Sequence, residues 1–160
     1  VYIFVPVAGP QFYFPAIGME NVLQGIFPSI GDYFNYNVEL LPGPGYADGF
    51  FYNLVENSQS VGERPTAAFP SSHVGVSTII MIMAYRVNKK FFAILTPFYF
   101  FLCCATVYIQ AHYLIDSIAG FITGVGLYYL ATWMYKKWFV SPMFKQAKLE
   151  GKPSLYTSKK

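Results

Sequence analysis

Basic residues are absent from the first 63 positions of this chain, although six acidic residues lie there. The first basic residue is Arg64, and the other ten form one group around residue 88 and another from Lys136 onward. Lysine and arginine beside membrane helices favour the cytoplasmic side, so both groups are expected there. The pattern therefore predicts that residues 1–63 lie on the exoplasmic side of a membrane.

Charged residues of either sign are scarce, at 12% of 160 residues, while 54% are hydrophobic and 20% are aromatic. A soluble domain usually carries about 25% charged residues, so this chain has too few to cover a water-exposed surface. The composition predicts an all-α integral membrane helix bundle surrounded by membrane lipids. No nucleic-acid partner is expected, and the composition leaves the oligomeric state open.

Cysteine is scarce too, and its two copies, Cys103 and Cys104, are adjacent within an apolar run. This spacing fits neither a disulfide framework nor a metal site, so we expect both side chains to pack among apolar neighbours. The chain also lacks an Asn-x-Ser/Thr glycosylation acceptor. The missing acceptor and the compact loops fit a bacterial inner-membrane protein, in which the exoplasmic side, and any active site there, would face the periplasm.

Three long apolar runs in the second half of the chain predict three membrane helices. The middle run is 19 residues long, which is enough to cross roughly 30 Å of hydrocarbon. Pro97 is expected to kink it, and Gly120 and Gly124 form a small-xxx-small step that lets another helix approach closely. The predicted helices cover residues 71–85, 91–109 and 112–134.

These helices divide the chain into four predicted parts: the end of a membrane helix (1–9), an exoplasmic loop with an interfacial helix (10–70), a three-helix membrane catalytic core (71–138) and a basic cytoplasmic tail (139–160). The apolar start predicts that the chain is a fragment of a longer protein. Residues 46–60 could form an amphipathic helix, which either lies on the membrane or packs on the bundle. The loop is rich in aromatic residues and could shape an acceptor pocket.

Histidine occurs only twice, as His73 and His112, each near the start of a predicted membrane helix. Because successive helices alternate in direction, both histidines and Arg64 are expected at the same exoplasmic depth. Asp116 lies four residues after His112, on the same helix face. A carboxylate inside a membrane helix is costly and is usually paired or functional. It could accept a hydrogen bond from His112 and make the other ring nitrogen more nucleophilic, or the pair could be purely structural.

The sequence Pro70-Ser71-Ser72-His73 is typical of a helix start. Serine caps such a start, and the backbone N–H groups of the first turn can bind an anion. Arg64 would add a bidentate phosphate contact. In the plainer interpretation, the serine is only a cap and the arginine only an interfacial anchor. Two histidines and an aspartate could also bind a metal ion, but the arginine and the helix start favour an anion, so neither metal nor cofactor is expected.

The order of these residues resembles three motifs of the type 2 phosphatidic acid phosphatase superfamily. Lys-x6-Arg-Pro is similar to Asn57 through Arg64-Pro65, with asparagine in place of lysine. Pro-Ser-Gly-His is similar to Pro70 through His73, with serine in place of glycine. Ser-Arg-x5-His-x3-Asp is similar to Ala105-Thr106 through His112 and Asp116, without the serine and the arginine. The resemblance covers residues 57–134 and implies a six-helix membrane core.

The resemblance also implies a role for each matching residue. His112 would be the nucleophile that forms a phosphohistidine, Asp116 would orient and activate it, and His73 would protonate the leaving alcohol. The phosphate would be held by Arg64, Ser71 and Ser72, with Asn57 and Thr106 at positions where the family has cations. No metal would be required.

Three functions remain open from the sequence. The first is a phosphatase that hydrolyses a lipid phosphomonoester or pyrophosphate. The second is a lipid headgroup phosphotransferase, similar to phosphosphingolipid or phospholipid synthases, in which an alcohol replaces water; the neutral Asn57 and Thr106 would suit a less charged phosphodiester. The third is a non-catalytic membrane protein that binds lipid headgroups.

Overall fold

The computed structural model describes residues 6–39, 41–42, 49–62 and 65–141, without the side chains of residues 58–62. Within these ranges the secondary structure is helical, with one isolated parallel bridge between Val7 and Ala67 and no strand. Contacts divide the chain into two units, residues 1–124 and residues 125–160. All the described residues of the predicted site belong to the first unit.

The N-terminal part of the first unit contains two short helices that the sequence analysis did not predict. Helix α1 is Pro10–Ile17, and it begins with proline, whose missing N–H costs nothing at a first helical position. It ends at Gly18, which has a φ of 82°, and helix α2, Met19–Leu23, follows directly. A 3-10 turn covers Tyr33–Asn35.

Residues 6–9 belong to the segment 1–9 that is predicted to end a membrane helix. They are not helical; instead, the carbonyl of Val7 accepts a hydrogen bond from the N–H of Ala68 at 3.0 Å. An apolar composition does not by itself require a helix, because the backbone of this segment can instead pair with a distant part of the chain. Residues 1–5 lie outside the described residues.

Helix α3 is Phe50–Gly62 and overlaps the amphipathic helix predicted at 46–60. Its aromatic side chains Phe50 and Phe51, together with Leu54, are strongly exposed. The exposed apolar face fits the interfacial alternative of the sequence analysis. A position on the membrane surface stays a prediction.

The three predicted membrane helices are present within two residues of their predicted ends: α4, Ser72–Val87; α5, Lys89–Tyr108; and α6, Leu114–Tyr135. Helix α5 continues through Pro97. Two segments, Lys89–Tyr108 and Leu114–Val140, are long and apolar enough to cross a membrane. Helix α4 has 16 residues and is about 24 Å long, so it is shorter than the roughly 20 residues that a spanning helix needs.

Helices α4 and α5 form a tight antiparallel hairpin. The side-chain oxygen of Asn88 caps α5 by accepting from the N–H groups of Lys90 and Phe91, at 2.9 and 3.3 Å. Farther along, the Thr78 hydroxyl donates to its own helix, so the Tyr99 hydroxyl donates to Thr78, at 2.7 Å. The basic group around residue 88 therefore lies at the end of α4 that is opposite His73.

Helices α4 and α6 approach each other through glycine, as the small-xxx-small step predicted. A Cβ atom on Gly124 would lie 2.5 Å from the carbonyl oxygen of Gly75, and one on Gly75 would lie 3.2 Å from that of Gly120. A Cβ on Gly120 would collide with the backbone of Ser71. Only glycine allows this spacing, which brings the first turns of the two helices together.

The second unit is described for residues 125–141. It contains the rest of α6 and a π-helical turn, Lys136–Val140. The ammonium of Lys137 lies 4.9 Å from the centroid of the Trp133 ring, a cation–π contact typical of a membrane interface. Residues 142–160, the larger part of the predicted tail, lie outside the described residues.

Candidate active site

The first turn of α4 and the loop before α6 bring the two histidines together. The ring centroids of His73 and His112 are 5.9 Å apart, with an angle of 62° between the ring planes. The N–H of Ser71 donates to the carbonyl of Asp116 at 3.0 Å, which joins the two helix starts directly. His73 is exposed, whereas His112 is only 6% exposed. One imidazole therefore faces solvent and the other is held inside the protein.

His112 is fixed by the backbone of two other segments. Its Nδ1 lies 2.8 Å from the carbonyl oxygen of Ala68, and its own N–H donates to the carbonyl of Thr106 at 3.0 Å. A carbonyl can only accept, so the proton of the neutral ring is on Nδ1. Nε2 then carries the lone pair, which makes it the basic and nucleophilic atom of the ring.

Asp116 makes a different hydrogen bond from the predicted one to His112. Its Oδ2 is 4.0 Å from Nδ1 of His112 but accepts a hydrogen bond from the N–H of Tyr113 at 2.8 Å. In return, the N–H of Asp116 donates to the carbonyl of Tyr113 at 3.0 Å. This is the pattern of an acidic residue at the third helical position, which reaches back to satisfy the start of its own helix. Nδ1 of His112 makes its hydrogen bond to Ala68 instead, and the role of Asp116 in orienting and activating His112 stays a prediction.

Ala68 is a site residue that the sequence analysis missed. It is buried, its N–H is bound by Val7, and its carbonyl accepts from His112. Both contacts use the main chain, so the identity of the side chain gives no signal. The parallel bridge between Val7 and Ala67 shows that this carbonyl is positioned by the N-terminal segment.

The N-terminal segment also holds the loop that precedes His112. The N–H of Gln11, which is 1% exposed, donates to the carbonyl of Gln110 at 3.0 Å. Gly9 lies so close to this loop that a Cβ atom would be 2.5 Å from the carbonyl oxygen of Ala111. Gln110 itself has a φ of 61°, in the left-handed region. The sharp turn before His112 is therefore held in place by a segment outside the three-helix core.

The two serines occupy different positions at the start of α4. Ser71 is buried and caps the helix, with its hydroxyl oxygen accepting from the N–H of Val74 at 3.4 Å. Ser72 is exposed in the first turn, next to His73. First-turn N–H groups have no acceptor within their own helix and, with the helix dipole, favour an anion. The phosphate-binding role of this turn stays a prediction.

The structure gives Thr106 a packing role, and its predicted phosphate contact stays a prediction. Its hydroxyl is buried and donates to the carbonyl of Cys103 at 2.9 Å. Because that uses its only proton, the Ser117 hydroxyl donates to Thr106 across 3.2 Å. The side chain thus joins α5 to α6.

The other two predicted phosphate ligands are Asn57 and Arg64. Asn57 is exposed on α3. Arg64 lies outside the described residues, and a phosphate contact of either residue stays a prediction. Among the ranges that the structure describes, no group of three or more His, Cys, Asp or Glu side chains could hold a metal ion.

The comparison with protein families gives a match. A protein-family model described as the PAP2 superfamily matches residues 1–130. This range includes the N-terminal segment, both histidines and Asp116. No curated protein and no solved structure matches the chain.

Proposed function

Because the chain belongs to the PAP2 superfamily, we propose that it is a membrane-embedded phosphatase that hydrolyses a lipid phosphomonoester or pyrophosphate through a phosphohistidine. Membership in the superfamily supports a phosphatase-type function and an integral membrane helical fold. The observation that carries the finer proposal is the 5.9 Å approach of the His73 and His112 rings. At this distance His112 can attack a phosphoryl group while His73 donates a proton to the leaving oxygen of the same group.

In the first step, Nε2 of His112 attacks phosphorus. A nitrogen–phosphorus bond forms while the bond from phosphorus to the leaving oxygen breaks, and the leaving oxygen keeps the electron pair. The imidazole gains positive charge in this step. The Ala68 carbonyl at 2.8 Å from Nδ1 and the Asp116 carboxylate at 4.0 Å both stabilise that charge.

His73 supplies the proton that the leaving oxygen needs. It lies in the exposed first turn of α4, where a substrate oxygen and water both have access. In the second step it accepts a proton from the attacking water, the nitrogen–phosphorus bond breaks, and inorganic phosphate leaves. One exposed histidine thus serves as acid and then as base.

The phosphoryl oxygens require positive partners during both steps. In this proposal the first-turn N–H groups of α4 and the Arg64 guanidinium provide them. The site would face the exoplasm, because the basic group around residue 88 lies at the opposite end of α4. A lipid substrate is supported by the many exposed apolar side chains of α5 and α6, which would lie beside hydrocarbon in a membrane.

The proposal is tested with full-length protein in phospholipid vesicles supplied with ³²P-labelled phosphatidic acid and polyprenyl pyrophosphate. The wild type should release phosphate, and rapid quenching should trap protein-bound label that is stable to alkali and labile to acid. His112→Ala should remove both signals. Thr96→Ala, which changes an exposed hydroxyl bonded within α5, should remove neither.

His73→Ala separates the two histidines. Without the general acid, hydrolysis of a lipid alkyl phosphate should fall by about 10²–10⁴-fold, whereas a nitrophenyl phosphate, whose leaving group needs no proton, should lose far less. Undiminished phosphate release by folded His112→Ala protein would refute the phosphohistidine mechanism.

A lipid headgroup phosphotransferase is the second candidate. Asn57 and Thr106 are neutral where the family has cations, and the Thr106 hydroxyl is committed to Cys103 and Ser117. A site with fewer cations suits a phosphodiester, which carries one negative charge rather than two. The same phosphohistidine would then be attacked by an alcohol.

A further inference from the structure

The segment that follows α1 exposes a group of large apolar side chains. Four of the nine residues 19–27 are large, apolar and about half exposed or more, and Leu23 (84% exposed) and Phe27 (59%) are the most exposed of them. Single exposed apolar residues are common on protein surfaces, but a group of them usually marks a contact with a protein or a membrane. The four residues, which form the 19–27 surface, are Met19, Leu23, Ile26 and Phe27.

The other side of this segment is packed against the protein. Ile17, just before α2, is buried, and Val22 within α2 is half-buried. The side-chain amide of Asn21 donates to the carbonyl of Ile17 at 2.7 Å. Met19 and Leu23 are four residues apart and therefore share one face of α2. Helix α2 is thus packed on one side and exposes apolar side chains on the other.

Contacts of α1 place this segment at the level of a bilayer surface. Helices α5 and α6 are long and apolar enough to cross a membrane, so the loop between them, residues 109–113, lies where they leave the hydrocarbon. The N–H of Gln11 in α1 donates to Gln110 of this loop at 3.0 Å, and the Phe14 ring packs edge-on against Tyr113, with centroids 6.3 Å apart. Lipid is therefore the nearest apolar material outside the protein.

Hydrogen bonds join the 19–27 surface to α1. The Tyr13 hydroxyl donates to the carbonyl of Pro28, the residue after Phe27, at 2.7 Å. The N–H of Gly18, from which α2 begins, donates to the carbonyl of Phe14 at 3.0 Å. The exposed surface and the loop that carries His112 are therefore held by the same short helix.

Charge indicates which kind of membrane surface fits. Residues 1–63 contain six acidic residues and neither lysine nor arginine, and Glu20 is exposed within the segment 19–27. Interfacial segments that bind anionic lipids do so through lysine and arginine. Carboxylates repel such lipids, so neutral or zwitterionic headgroups fit this segment best.

We propose that the 19–27 surface docks on the bilayer at the His112 end of α6, with Leu23 and Phe27 inserted among neutral or zwitterionic headgroups. An insertion depth of about 5–10 Å is typical of interfacial segments. Docking removes the exposed apolar side chains from water, and it holds α1 against the loop that carries His112. The inference does not require the phosphohistidine of the proposed function.

Fluorescence measures the depth of the surface in full-length protein reconstituted in phosphatidylcholine vesicles. All native tryptophans, including Trp133 and Trp138, are replaced by phenylalanine, and Leu23→Trp or Phe27→Trp is introduced singly. Each new tryptophan should emit at short wavelength, lose most of its emission to phosphatidylcholine brominated near the headgroup end of its chains, and resist quenching by iodide in the water. Asp32→Trp is the matched control, because Asp32 is exposed but charged; it should respond to iodide and not to the brominated lipid.

Three results would overturn docking on the bilayer. Iodide quenching at positions 23 and 27 equal to that at position 32 would show that the surface faces water. Protection from both quenchers would show that another segment of the chain, a second copy or another protein covers it. Stronger quenching by the brominated lipid when phosphatidylglycerol replaces half of the unbrominated phosphatidylcholine would show that anionic lipid is the partner.

A double variant tests whether docking holds the loop. Leu23→Gln combined with Phe27→Gln makes the surface polar, so hydrogen exchange at the N–H groups of Gln11 and Ala68 should become about tenfold faster in vesicles. Leu23→Met combined with Phe27→Leu keeps the surface apolar and should leave the exchange unchanged. Equal exchange in the two double variants would overturn the link between docking and the loop.

The proposed function and this inference can fail separately, because neither measurement uses a substrate. Docking observed in protein whose phosphate release does not require His112 would refute the proposed function and support the inference. Phosphate release that requires His112, together with a surface that iodide reaches freely, would overturn the inference and leave the phosphatase intact.

Discussion

Nδ1 of His112 lies 2.8 Å from the carbonyl oxygen of Ala68, closer than the carboxylate that the sequence assigned to it. Asp116 is 4.0 Å away and caps the start of α6. The tautomer of the imidazole is thus set by the main chain. The carboxylate of Asp116 contributes a negative charge near the ring, and its hydrogen bond to Tyr113 holds the shape of the loop.

Replacing Asp116 separates its charge from its cap. Asp116→Asn keeps an oxygen that can accept from the N–H of Tyr113 but loses the charge, so we expect phosphate release to fall by about tenfold. Asp116→Ala should lose activity further and should also lower the free energy of unfolding by about 1 kcal/mol because the cap is gone. Initial rates and denaturant unfolding in detergent measure the two effects. An Asp116→Asn protein as inactive as His112→Ala would show that the carboxylate is needed directly.

Gly124 tests the close packing of α4 and α6. In Gly124→Ala, the new Cβ would lie 2.5 Å from the carbonyl oxygen of Gly75, so the helices must separate. We expect a loss of stability of about 1–3 kcal/mol and a decrease in activity, because the two histidines are on these helices. Gly126→Ala is the control, since its Cβ would meet no atom within 4 Å. It should be neutral or up to about 1 kcal/mol more stable, and equal effects of both changes would contradict the packing argument.

Thr106→Val tests whether this residue packs or binds phosphate. The hydroxyl joins Cys103 and Ser117 inside the protein, so its removal should cost about 1 kcal/mol of stability. KM for a lipid phosphate should stay within a factor of two to three, because no phosphate contact is lost. Steady-state kinetics and thermal unfolding separate the outcomes. A large rise in KM at unchanged stability would instead indicate that Thr106 contacts the phosphate.

Tyr113 should make stability depend on pH in the alkaline range. Its pKa is about 12 in the folded protein, above the ordinary value of 10.0, because burial, Tyr13 and Asp116 disfavour the phenolate. The folded state therefore binds the proton more tightly, and the stability it provides is complete below pH 10 and lost as the pH rises toward 12. Between pH 9 and pH 12, the free energy of unfolding should decline less for Tyr113→Phe than for the wild type. Parallel declines would show that this hydroxyl is not buried as described.

Helix positions and the glycine contact were predictable from the sequence. The apolar runs predict α4, α5 and α6 because few other structures satisfy a backbone in lipid, and Gly120 and Gly124 are spaced to let another helix approach closely. The meeting of His73 and His112 followed from the alternating direction of the helices. These features depend on side-chain pattern, which the sequence displays.

The remaining parts of the site could not be predicted because they depend on the main chain or on ambiguous spacing. Ala68, Gly9 and Gln11 act through carbonyl groups, N–H groups or the absence of a Cβ, and none has a distinctive residue pattern. An aspartate four residues after a histidine fits both a relay and a helix cap, and the structure shows the cap. Thr106 aligned with a cationic position of the family, but its short side chain finds partners inside the bundle.

Because the acceptor at Ala68 is a main-chain carbonyl, the side chain at this position can change in evolution without loss of the acceptor. Every amino acid has that oxygen, so substitutions at position 68 preserve the acceptor for His112 as long as they fit the buried space. Proline is different, because it would remove the N–H that holds the segment to Val7. The side chain at position 68 can therefore change while His112 keeps its alignment, and the feature that must be preserved is the pairing of the backbone at Val7 with that at Ala68.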